Sequence, residues 1–554
     1  MKMILHQFLD FVDSQVGVTA AGDFAFRFAP GTKRRNPAPT IRKIAACLFL
    51  MALSCSVSAA ATWYVDGTAT GSSNGTSWAN AWTSLSQITG VSAGDVVYIS
   101  GGASGSSQTY PSVNWSPKGG TQGNPITYQV GQDSAHDGMV ILNGQNSGPL
   151  GVVTVASYTV LSGQVGAGIT GNSGPTYSSL IKSACHMEII NPPVSNRSLY
   201  DSGQASAQTY DIHICYIYWP GTTGGVQWGA GSSGAGHFSE FDHCYMVKSP
   251  SGSGNPDDCM FGGGGNGFDQ LKVHDNYFQV TLTSNLPAIG DDFMKWGSGV
   301  SWYNNHYQGV LGNYGTGNQH SDVFQVDGDY EKCYNNYVEN PGESFFYQDD
   351  FSTPVAHHDI YIFNNVVWVG PTFAQSDVTR GIDILPESNG VGTTFTDLYI
   401  ANNTFYNIDS YGIRMNTYGS GSTNYALTRV NVVNNLFVNM GTPFYLFQSG
   451  IGILSNKSIG TGAGGLNPAN SSGASNNSNV TFVNLASGDL HPAPSDTGAI
   501  GVGTNWPNVT PSFKFNTDKD GNLRPSTAWS IGAYEGQGTP PAPQGLRAAA
   551  VSGS

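Results

Sequence analysis

Residues 271–278 read LKVHDNYF, and residues 300–307 read VSWYNNHY. The same pattern of a short strand, two polar residues and a second strand returns at 331–338 (EKCYNNYV), 360–367 (IYIFNNVV), 398–405 (LYIANNTF) and 430–437 (VNVVNNLF). His243-Cys244 and Ile214-Cys215 resemble earlier copies, so the second residues fall at 215, 244, 276, 305, 336, 365, 403 and 435. The steps are 29, 32, 29, 31, 29, 38 and 32 residues, which fits one coil of three short strands per repeat.

The paired Asn residues have a physical reason to recur. Asn tolerates left-handed backbone angles, and its amide can bond the same amide one coil above. Ordinary turns are the alternative, but the near-constant spacing argues against them. The sequence therefore predicts an all-β, single-stranded right-handed parallel β-helix, a solenoid of about a dozen coils. One edge of it should align Asn276, Asn305, Asn336, Asn365, Asn403 and Asn435.

The chain divides into four predicted segments. Residues 41–60 read as a secretory signal, with Arg42 and Lys43 before an apolar stretch and Val57-Ser58-Ala59 as the cleavage site. Residues 1–40 are interpreted as an extension from a mispredicted start codon. Residues 62–536 are the β-helix, and 537–554 are a Pro/Ala-rich linker. We expect a secreted protein, or one retained at the cell surface if Cys55 is lipid-modified.

Charge limits the partners of the exported chain. After residue 59 it has 15 Lys and Arg against 34 Asp and Glu, so no broad cationic face is expected to bind nucleic acid. We also expect no membrane span and a monomer. An acidic polymer would need a local cationic group or a bridging metal ion.

Five cysteines follow the signal without a zinc-binding spacing. Cys215 and Cys244 are predicted at equivalent places in adjacent coils, about 5 Å apart, either as stacked thiols or as a disulfide.

Acidic residues recur at matching places in three successive coils. We predict that Asp258, Asp292 and Asp322 form a row with Asp257 and Asp291 beside it, and these five residues are the predicted metal ligands. Packed carboxylates repel one another unless a cation compensates, and Ca²⁺ prefers oxygen ligands. The alternative is that these residues cap turns through local hydrogen bonds.

Strand alternation predicts one outer face of the solenoid. If Phe324 and Val326 point inward, Gln325 faces out, and the same register places Lys295 outside. Further outward positions are predicted for Asp383 and Arg414, with His320 and Arg380 at nearby turns. Lys295 is the candidate base, and the candidate substrate-binding residues are Gln325, His320, Arg380, Asp383 and Arg414. A solvated Lys paired with an Asp is the alternative for Lys295.

The two ends of the predicted β-helix resemble a known superfamily. Residues 62–67 (TWYVDG), 74–78 (NGTSW), 93–99 (AGDVVYI) and 123–128 (GNPITY) are similar to the opening coils of secreted pectate-lyase-like β-helix proteins. Residues 488–492 (GDLHP), 520–525 (DGNLRP) and 531–535 (IGAYE) resemble their closing segment. The resemblance implies the fold, and the fold hosts several activities.

A shorter likeness concerns the site. Residues 255–258 (NPDD) and 294–297 (MKWG) resemble the calcium carboxylates and the lysine base of family 9 polysaccharide lyases. This resemblance implies that Asp257 and Asp258 bind calcium and that Lys295 is the base. Phe261 stands where the family pattern would have a further polar residue.

Three functions follow as expectations. The first is an extracellular polysaccharide lyase that cleaves an acidic, uronate-containing polysaccharide by calcium-assisted β-elimination. The second is a glycoside hydrolase on the same fold, with Asp292, Asp322, Asp349 and Asp350 as possible carboxylates. The third is a non-catalytic surface or adhesion protein.

Overall fold

A computed structural model describes residues 60–147, 151–171, 176–192, 197–201, 211–222, 226–228, 239–248, 261–263, 271–280, 294–295, 299–309, 322–326, 328–348, 356–370, 379–385, 394–415, 426–440, 442–446, 452–459, 471–472, 479–506 and 516–536. All of them belong to one unit, Ala60–Ser554. The predicted extension, the predicted signal except Ala60, and the linker 537–554 lie outside the described residues.

Three parallel sheets make up most of the described chain. Sheet 1 has fourteen strands: Thr62–Val65, Val96–Ile99, Ile126–Val130, Thr159–Ser162, Ile212–Cys215, Glu240–Asp242, Lys272–His274, Ser301–Tyr303, Lys332–Tyr334, Ala356–Phe363, Thr394–Ala401, Ala426–Val433, Gly452–Leu454 and Ser471–Ser472. Sheet 2 has twelve: Ser107–Pro111, Met139–Asn143, Met187–Ile190, Ile217–Thr222, Tyr245–Lys248, Tyr277–Val280, His306–Gln308, Tyr337–Glu339, Val366–Trp368, Thr404–Tyr406, Leu436–Val438 and Lys457–Ile459.

Sheet 3 has ten strands: Gly151–Val155, Arg197–Asp201, Val226–Trp228, Phe261–Gly263, Met294–Lys295, Asp322–Val326, Glu343–Gln348, Arg380–Leu385, Tyr411–Met415 and Thr442–Leu446. The smaller elements are an antiparallel pair, Phe482–Asn484 with Asp489–Pro492, the α-helix Tyr177–Ala184, and 3₁₀ turns at Trp78–Asn80, Leu85–Gln87 and Leu485–Ser487. None of the helices in the described part of the chain is long and apolar enough to cross a membrane.

Successive strands visit the three sheets in turn. Lys272–His274 lies in sheet 1, Tyr277–Val280 in sheet 2 and Met294–Lys295 in sheet 3, after which Ser301–Tyr303 returns to sheet 1 beside the strand one coil earlier. A connection that returns parallel to the same sheet is right-handed in almost all proteins. The predicted all-β, right-handed parallel β-helix is therefore confirmed.

The predicted Asn ladder is confirmed at the corner between sheets 1 and 2. Each ladder amide donates from Nδ2 to the Oδ1 of the next coil's Asn at 2.9 to 3.2 Å. Nδ2 also donates to a backbone carbonyl of an earlier coil, as from Asn336 to Trp302 at 3.0 Å. These side chains are fully buried: Asn276, Asn305, Asn336, Asn365, Asn403, Asn435 and Asn456. Because every amide finds partners, the polar ladder can lie inside the wall of the solenoid.

The two properties expected of Asn are divided between the two positions of each pair. The first residue has a left-handed backbone, with φ of 54° at Asp275 and 56° at Asn335, and the second residue forms the ladder. Tyr216 has a φ of 53°, so the earliest repeat is Tyr216-Ile217. The alignment that placed Cys215 at the second position is therefore wrong.

The cysteine prediction changes with that alignment. Cys215 pairs in register with Asp242 and is not equivalent to Cys244, whose backbone N–H donates to the Oδ1 of Asn276 at the start of the ladder. Cys185, Cys215, Cys244 and Cys333 are buried free thiols. The fifth cysteine after the signal, Cys259, lies outside the described residues.

One continuous apolar core fills the solenoid, because inward positions of adjacent coils stack on one another. Phe324 lies on Phe345 with ring centroids 4.8 Å apart and an interplanar angle of 4°. Phe278 and Tyr307 stack similarly at 5.0 Å. Offset aromatic contacts of this kind add to the free energy gained from burial alone.

The closing segment, residues 479–506 and 516–536, packs against the first Asn of several pairs. Arg524 donates to Asn364 Oδ1 at 2.8 Å and pairs with Glu535 at 2.7 Å, both buried. Asn402 donates to the carbonyl of Ser530, and Asn434 to that of Thr504. In these pairs, the first Asn therefore contacts the closing segment, and the second Asn hydrogen-bonds the adjacent coils.

Replacement of a ladder residue should be far more harmful than replacement of its neighbour. Asn336→Ala leaves the buried N–H groups of Asn305 and the Trp302 carbonyl without their partner, at an expected cost of about 3 kcal/mol or more. The control Asn335→Gly keeps the left-handed conformation and should cost less than about 1 kcal/mol. Urea unfolding followed by circular dichroism measures both; equal losses would contradict the ladder's role.

His491 should make the stability of the closing segment depend on pH. Burial disfavours its charged form, but hydrogen bonds with Asp489 (2.5 Å) and Asp520 (2.7 Å) outweigh burial and raise the pKa of His491 to about 9. The pKa is higher in the folded state than in the unfolded one, so this stabilisation is complete below about pH 6.5 and is lost as pH rises through about 9.

The melting temperature of wild type minus that of His491→Gln isolates this contribution. We expect the difference to be larger near pH 6 than near pH 9.5, by the equivalent of about 1–3 kcal/mol. A difference that stays constant over this range would show that the charge on His491 does not stabilise the fold.

Candidate functional site

Sheet 3 presents two alternating columns of residues. The inner column, through successive coils, is Val153, Leu199, Val226, Phe261, Met294, Phe324, Phe345, Ile382, Ile413 and Phe444. Its members Val153, Phe324, Ile382 and Ile413 are fully buried in the core. Since successive positions of a strand alternate between faces, the next position of each strand forms a second register line, which we call the outer column, although Thr154 and Asp383 on it are buried.

The outer column consists of those next positions: Thr154, Tyr200, Gln227, Gly262, Lys295, Gln325, Phe346, Asp383, Arg414 and Tyr445. Four of the residues selected from the sequence thus share one register line. Lys295 pairs with Gln325, and Asp383 pairs with Arg414, with Phe346 between the two pairs. No register shift interrupts the pairing of these strands, so the positions lie in one line across the sheet.

The remaining selected residues are divided between described and undescribed parts of the chain. Asp257, Asp258, Asp291, Asp292 and His320 lie outside the described residues, as do Asp349 and Asp350. Asp322 begins its strand in register with Glu343, which pairs with Arg380, and its side chain is fully buried.

Arg380, Asp383 and Arg414 form an ion cluster on sheet 3. Arg414 Nε donates to Asp383 Oδ1 at 3.0 Å, and an Arg414 Nη donates to Oδ2. Arg380 Nη1 lies 3.4 Å from the same Oδ2. Asp383 is fully buried, whereas the side chains of Arg414 and Arg380 keep 12% and 19% of their exposure. Two guanidinium groups around one carboxylate give the cluster a net positive charge. Part of each Arg side chain remains exposed to solvent.

Two tyrosines beside this cluster were missed by sequence reasoning. The guanidinium carbon of Arg414 lies 5.3 Å from the centre of the Tyr411 ring, and the Tyr411 and Tyr445 rings are 5.2 Å apart. Tyr445 is 43% exposed. The signal was present, because Tyr445 follows Arg414 by 31 residues, one repeat of the solenoid. Aromatic faces beside guanidinium donors suit a ligand that has both apolar and carboxylate surfaces.

A second polar cluster lies on sheet 1 and was also missed. His213, Glu240, Asp242 and His274 occupy outer positions of three adjacent strands, since Ile214, Phe241 and Val273 beside them are fully buried. Among the described residues, two groups bring metal-ligating atoms within 4.8 Å of one another, namely His213 with Cys215 and Asp242, and Glu240 with Asp242 and His274. The alternating pattern of His213, Glu240, Asp242 and His274 with buried apolar residues is visible in the sequence.

Electrostatics in the sheet 1 cluster are strongly coupled. Burial opposes the charge on His274, but hydrogen bonds with Asp275 at 2.6 Å and Glu240 at 2.7 Å outweigh it and raise the pKa of His274 to about 9. Burial would raise the pKa of Asp242, yet the hydrogen bond with His213 and the nearby imidazole of His243 lower it well below its usual range. The carboxylates and the imidazoles of the three strands therefore favour each other's charged forms.

The sheets define the class of protein, a parallel β-helix. The chain matches no protein-family model, and no curated protein is similar to it in sequence.

Among solved structures, the chain is similar to pectate lyase Pel9A, with 15% identity over 87% of this chain and 97% of that one and a TM-score of 0.38. A rhamnogalacturonan lyase shares 15% identity over 75% and 87% of the two chains, with a TM-score of 0.31. A mannuronic acid specific polysaccharide family 6 lyase from human gut microbiota shares 13% identity over 67% and 82%, with a TM-score of 0.28. At these identities and TM-scores, the likenesses assign no activity to this chain.

The buried ion cluster should be more important to stability than an exposed pair of the same geometry. Asp383→Asn leaves Arg380 and Arg414 close together without their shared carboxylate, at an expected cost of about 3 kcal/mol. The matched control is Asp397→Asn, because Asp397 pairs with Arg429 through the same two kinds of guanidinium N–H, but Arg429 is 62% exposed. That change should cost less than about 1 kcal/mol. Urea denaturation compares the two, and a smaller loss for Asp383→Asn would refute the expectation.

Proposed function

We propose that this protein is an extracellular polysaccharide lyase that cleaves an acidic, uronate-containing polysaccharide by calcium-assisted β-elimination, with Lys295 as the base. The observation that supports this proposal best is the outer column of sheet 3. It places Lys295 and Gln325 in one register line with Asp383 and Arg414. A lysine followed along a solenoid face by guanidinium groups suits a polymer with a carboxylate on each sugar.

The reaction requires a base beside the α-carbon of a uronate. Lys295 in its neutral form takes the proton from the carbon next to the carboxylate. The electron pair of that C–H bond forms a carbon–carbon double bond, and the bond from the adjacent carbon to the glycosidic oxygen breaks. The departing oxygen takes a proton, so the products are a new chain end and an unsaturated uronate.

The predicted calcium ligands are carboxylates, which is the donor type that Ca²⁺ prefers. Asp257, Asp258, Asp291, Asp292 and Asp322 are the residues that would hold the ion. Asp322 is the described member, and its carboxylate is buried. When bound, calcium would neutralise the substrate carboxylate and make the α-proton more acidic.

Substrate beyond the cleaved bond would follow the outer column. Gln325 is one coil from Lys295, and Arg414 is four coils away, about 19 Å at the usual strand spacing. Arg414 and Arg380 therefore suit a distant carboxylate of the same polymer, with Asp383 holding both guanidinium groups in place. His320 would belong to the nearer part of the site.

Ultraviolet absorbance separates the possible activities. Full-length protein incubated with a panel of acidic glycans, with calcium and with chelator, should raise the absorbance band of unsaturated uronate only when calcium is present. Reducing ends without that absorbance would identify a glycoside hydrolase. Binding without cleavage would identify an adhesion protein.

Lys295→Ala should abolish product formation, since the base is removed, and should leave the melting temperature nearly unchanged. Lys332→Ala is the matched control, because Lys332 lies on sheet 1 and not on sheet 3. It should retain wild-type cleavage. Undiminished cleavage by Lys295→Ala would overturn the assignment of the base and leave His320 and Arg380 as the next candidates.

Asp292→Ala tests the metal separately from the base. If Asp292 is a calcium ligand, the variant should lose cleavage and also lose any calcium-dependent rise in melting temperature, because a ligand that binds only the folded state stabilises it. If Asp292 caps a turn instead, calcium should have no effect and the variant should lose about 1 kcal/mol of stability.

A further inference from the structure

The sheet 1 cluster lies on the outside of the solenoid, on a different sheet from the proposed lyase site. Its residues come from the strands Ile212–Cys215, Glu240–Asp242 and Lys272–His274. Glu240 pairs in register with His213, and His274 pairs with Asp242, so the four side chains lie across three neighbouring strands.

We propose that Glu240, Asp242 and His274 form a binding site for a divalent transition metal ion such as Zn²⁺. One imidazole and two carboxylates, with solvent in a fourth position, are a ligand set that suits zinc and related first-row metals. Calcium prefers oxygen ligands alone, so this site would be chemically distinct from the calcium site of the proposed lyase.

The distances already approach those of a metal site. His274 Nε2 lies 2.7 Å from Glu240 Oε1, and the ligand atoms of Glu240, Asp242 and His274 all lie within 4.8 Å of one another. In a tetrahedral site with bonds of about 2.0–2.1 Å, neighbouring ligand atoms are about 3.3 Å apart. The three separations would have to adjust by up to about 1.5 Å to admit the ion, a movement that side-chain torsions can supply.

The outer hydrogen bonds orient the donors as metal sites require. His274 Nδ1 lies 2.6 Å from Asp275 Oδ2, and this contact directs Nε2 of the same ring toward Glu240 and Asp242. A carboxylate behind a metal-binding histidine fixes its tautomer and its orientation. The ring of Tyr303 stacks on His274 at 4.5 Å and 8°, which further restricts the imidazole.

The buried neighbours of the cluster have unused bonding capacity. His243 Nδ1 lies 3.3 Å from Asp242 Oδ2, but neither ring nitrogen of His243 has a hydrogen-bond partner among the described residues. Asp275 Oδ1 likewise has none within the described chain, although the residue is only 7% exposed. Such groups are costly in a site that exists for structure alone.

Access and charge also fit a metal ion. The side chains of His213 and Glu240 are each 33% exposed, so an ion can reach the cluster from solvent. Glu240, Asp242 and Asp275 supply three negative charges within this group of contacts. Lys272 lies 3.9 Å from Glu240 but is 51% exposed, so it can turn away when the ion enters.

The test uses the full chain, stripped with a chelator and titrated with ZnCl₂ by calorimetry, with Co²⁺ as a spectroscopic substitute. Wild type should bind about one Zn²⁺ per chain, give the visible bands of tetrahedral Co²⁺, and gain in melting temperature. His274→Gln and Glu240→Gln should each weaken binding by about 100-fold or more, and Asp275→Asn by about 10- to 100-fold.

His491→Gln is the matched control, because His491 also lies between two carboxylates, but its two ring nitrogens contact Asp489 and Asp520 separately. It should bind Zn²⁺ like wild type. The melting temperature of each metal-free variant, compared with metal-free wild type, establishes that it is folded.

Wild type that binds no Zn²⁺, or His274→Gln and Glu240→Gln variants that bind it unchanged, would overturn the site. The result is independent of the lyase proposal, since Lys295→Ala should bind Zn²⁺ normally and excess Ca²⁺ should not displace it.

Discussion

The amide ladder at the corner between sheets 1 and 2 is the constraint on which the rest of the molecule depends. Each Asn side chain in the ladder hydrogen-bonds side-chain and backbone groups of the adjacent coils. These hydrogen bonds lie in a position from which water is excluded. A slip of one residue would leave several buried donors unpaired and would turn every side chain to the opposite face. The ladder therefore fixes the register of the strands that enter and leave it.

That register produces both polar clusters. On sheet 3 it gives one line of outer positions from Thr154 to Tyr445, and on sheet 1 it brings His213, Glu240, Asp242 and His274 onto three neighbouring strands. In each case residues about 30 positions apart become neighbours because the coil repeats, with no long loop needed to bring them together. The same outer surface that gives a solenoid its solubility can in this way hold chemically distinct sites on different sheets.

Much of this was accessible from the sequence, for particular reasons. The ladder was predictable because an Asn that recurs in every coil can hydrogen-bond the equivalent Asn of the next coil. The register line of Lys295 and Gln325 followed from the alternation of side chains around Phe324. Tyr216-Ile217 was misaligned because neither residue is Asn, so only the left-handed φ of Tyr216 identifies the pair. The burial of Asp383 depends on how the Arg380 and Arg414 side chains fold over it, which strand periodicity does not encode. The sheet 1 cluster was overlooked because each member, taken alone, resembles an ordinary solvated residue on a strand.

The closing segment has a consequence for the order of folding. Ladder contacts join residues about 30 positions apart, whereas Arg524 reaches Asn364 over 160 residues and Tyr337 donates to the carbonyl of Gly488 over 151. Coils can form one upon another as nearest neighbours, but the segment can dock only on coils that already exist. It is thus a late, long-range addition to a structure built locally, and hydrogen exchange should show its amides opening before those of the ladder.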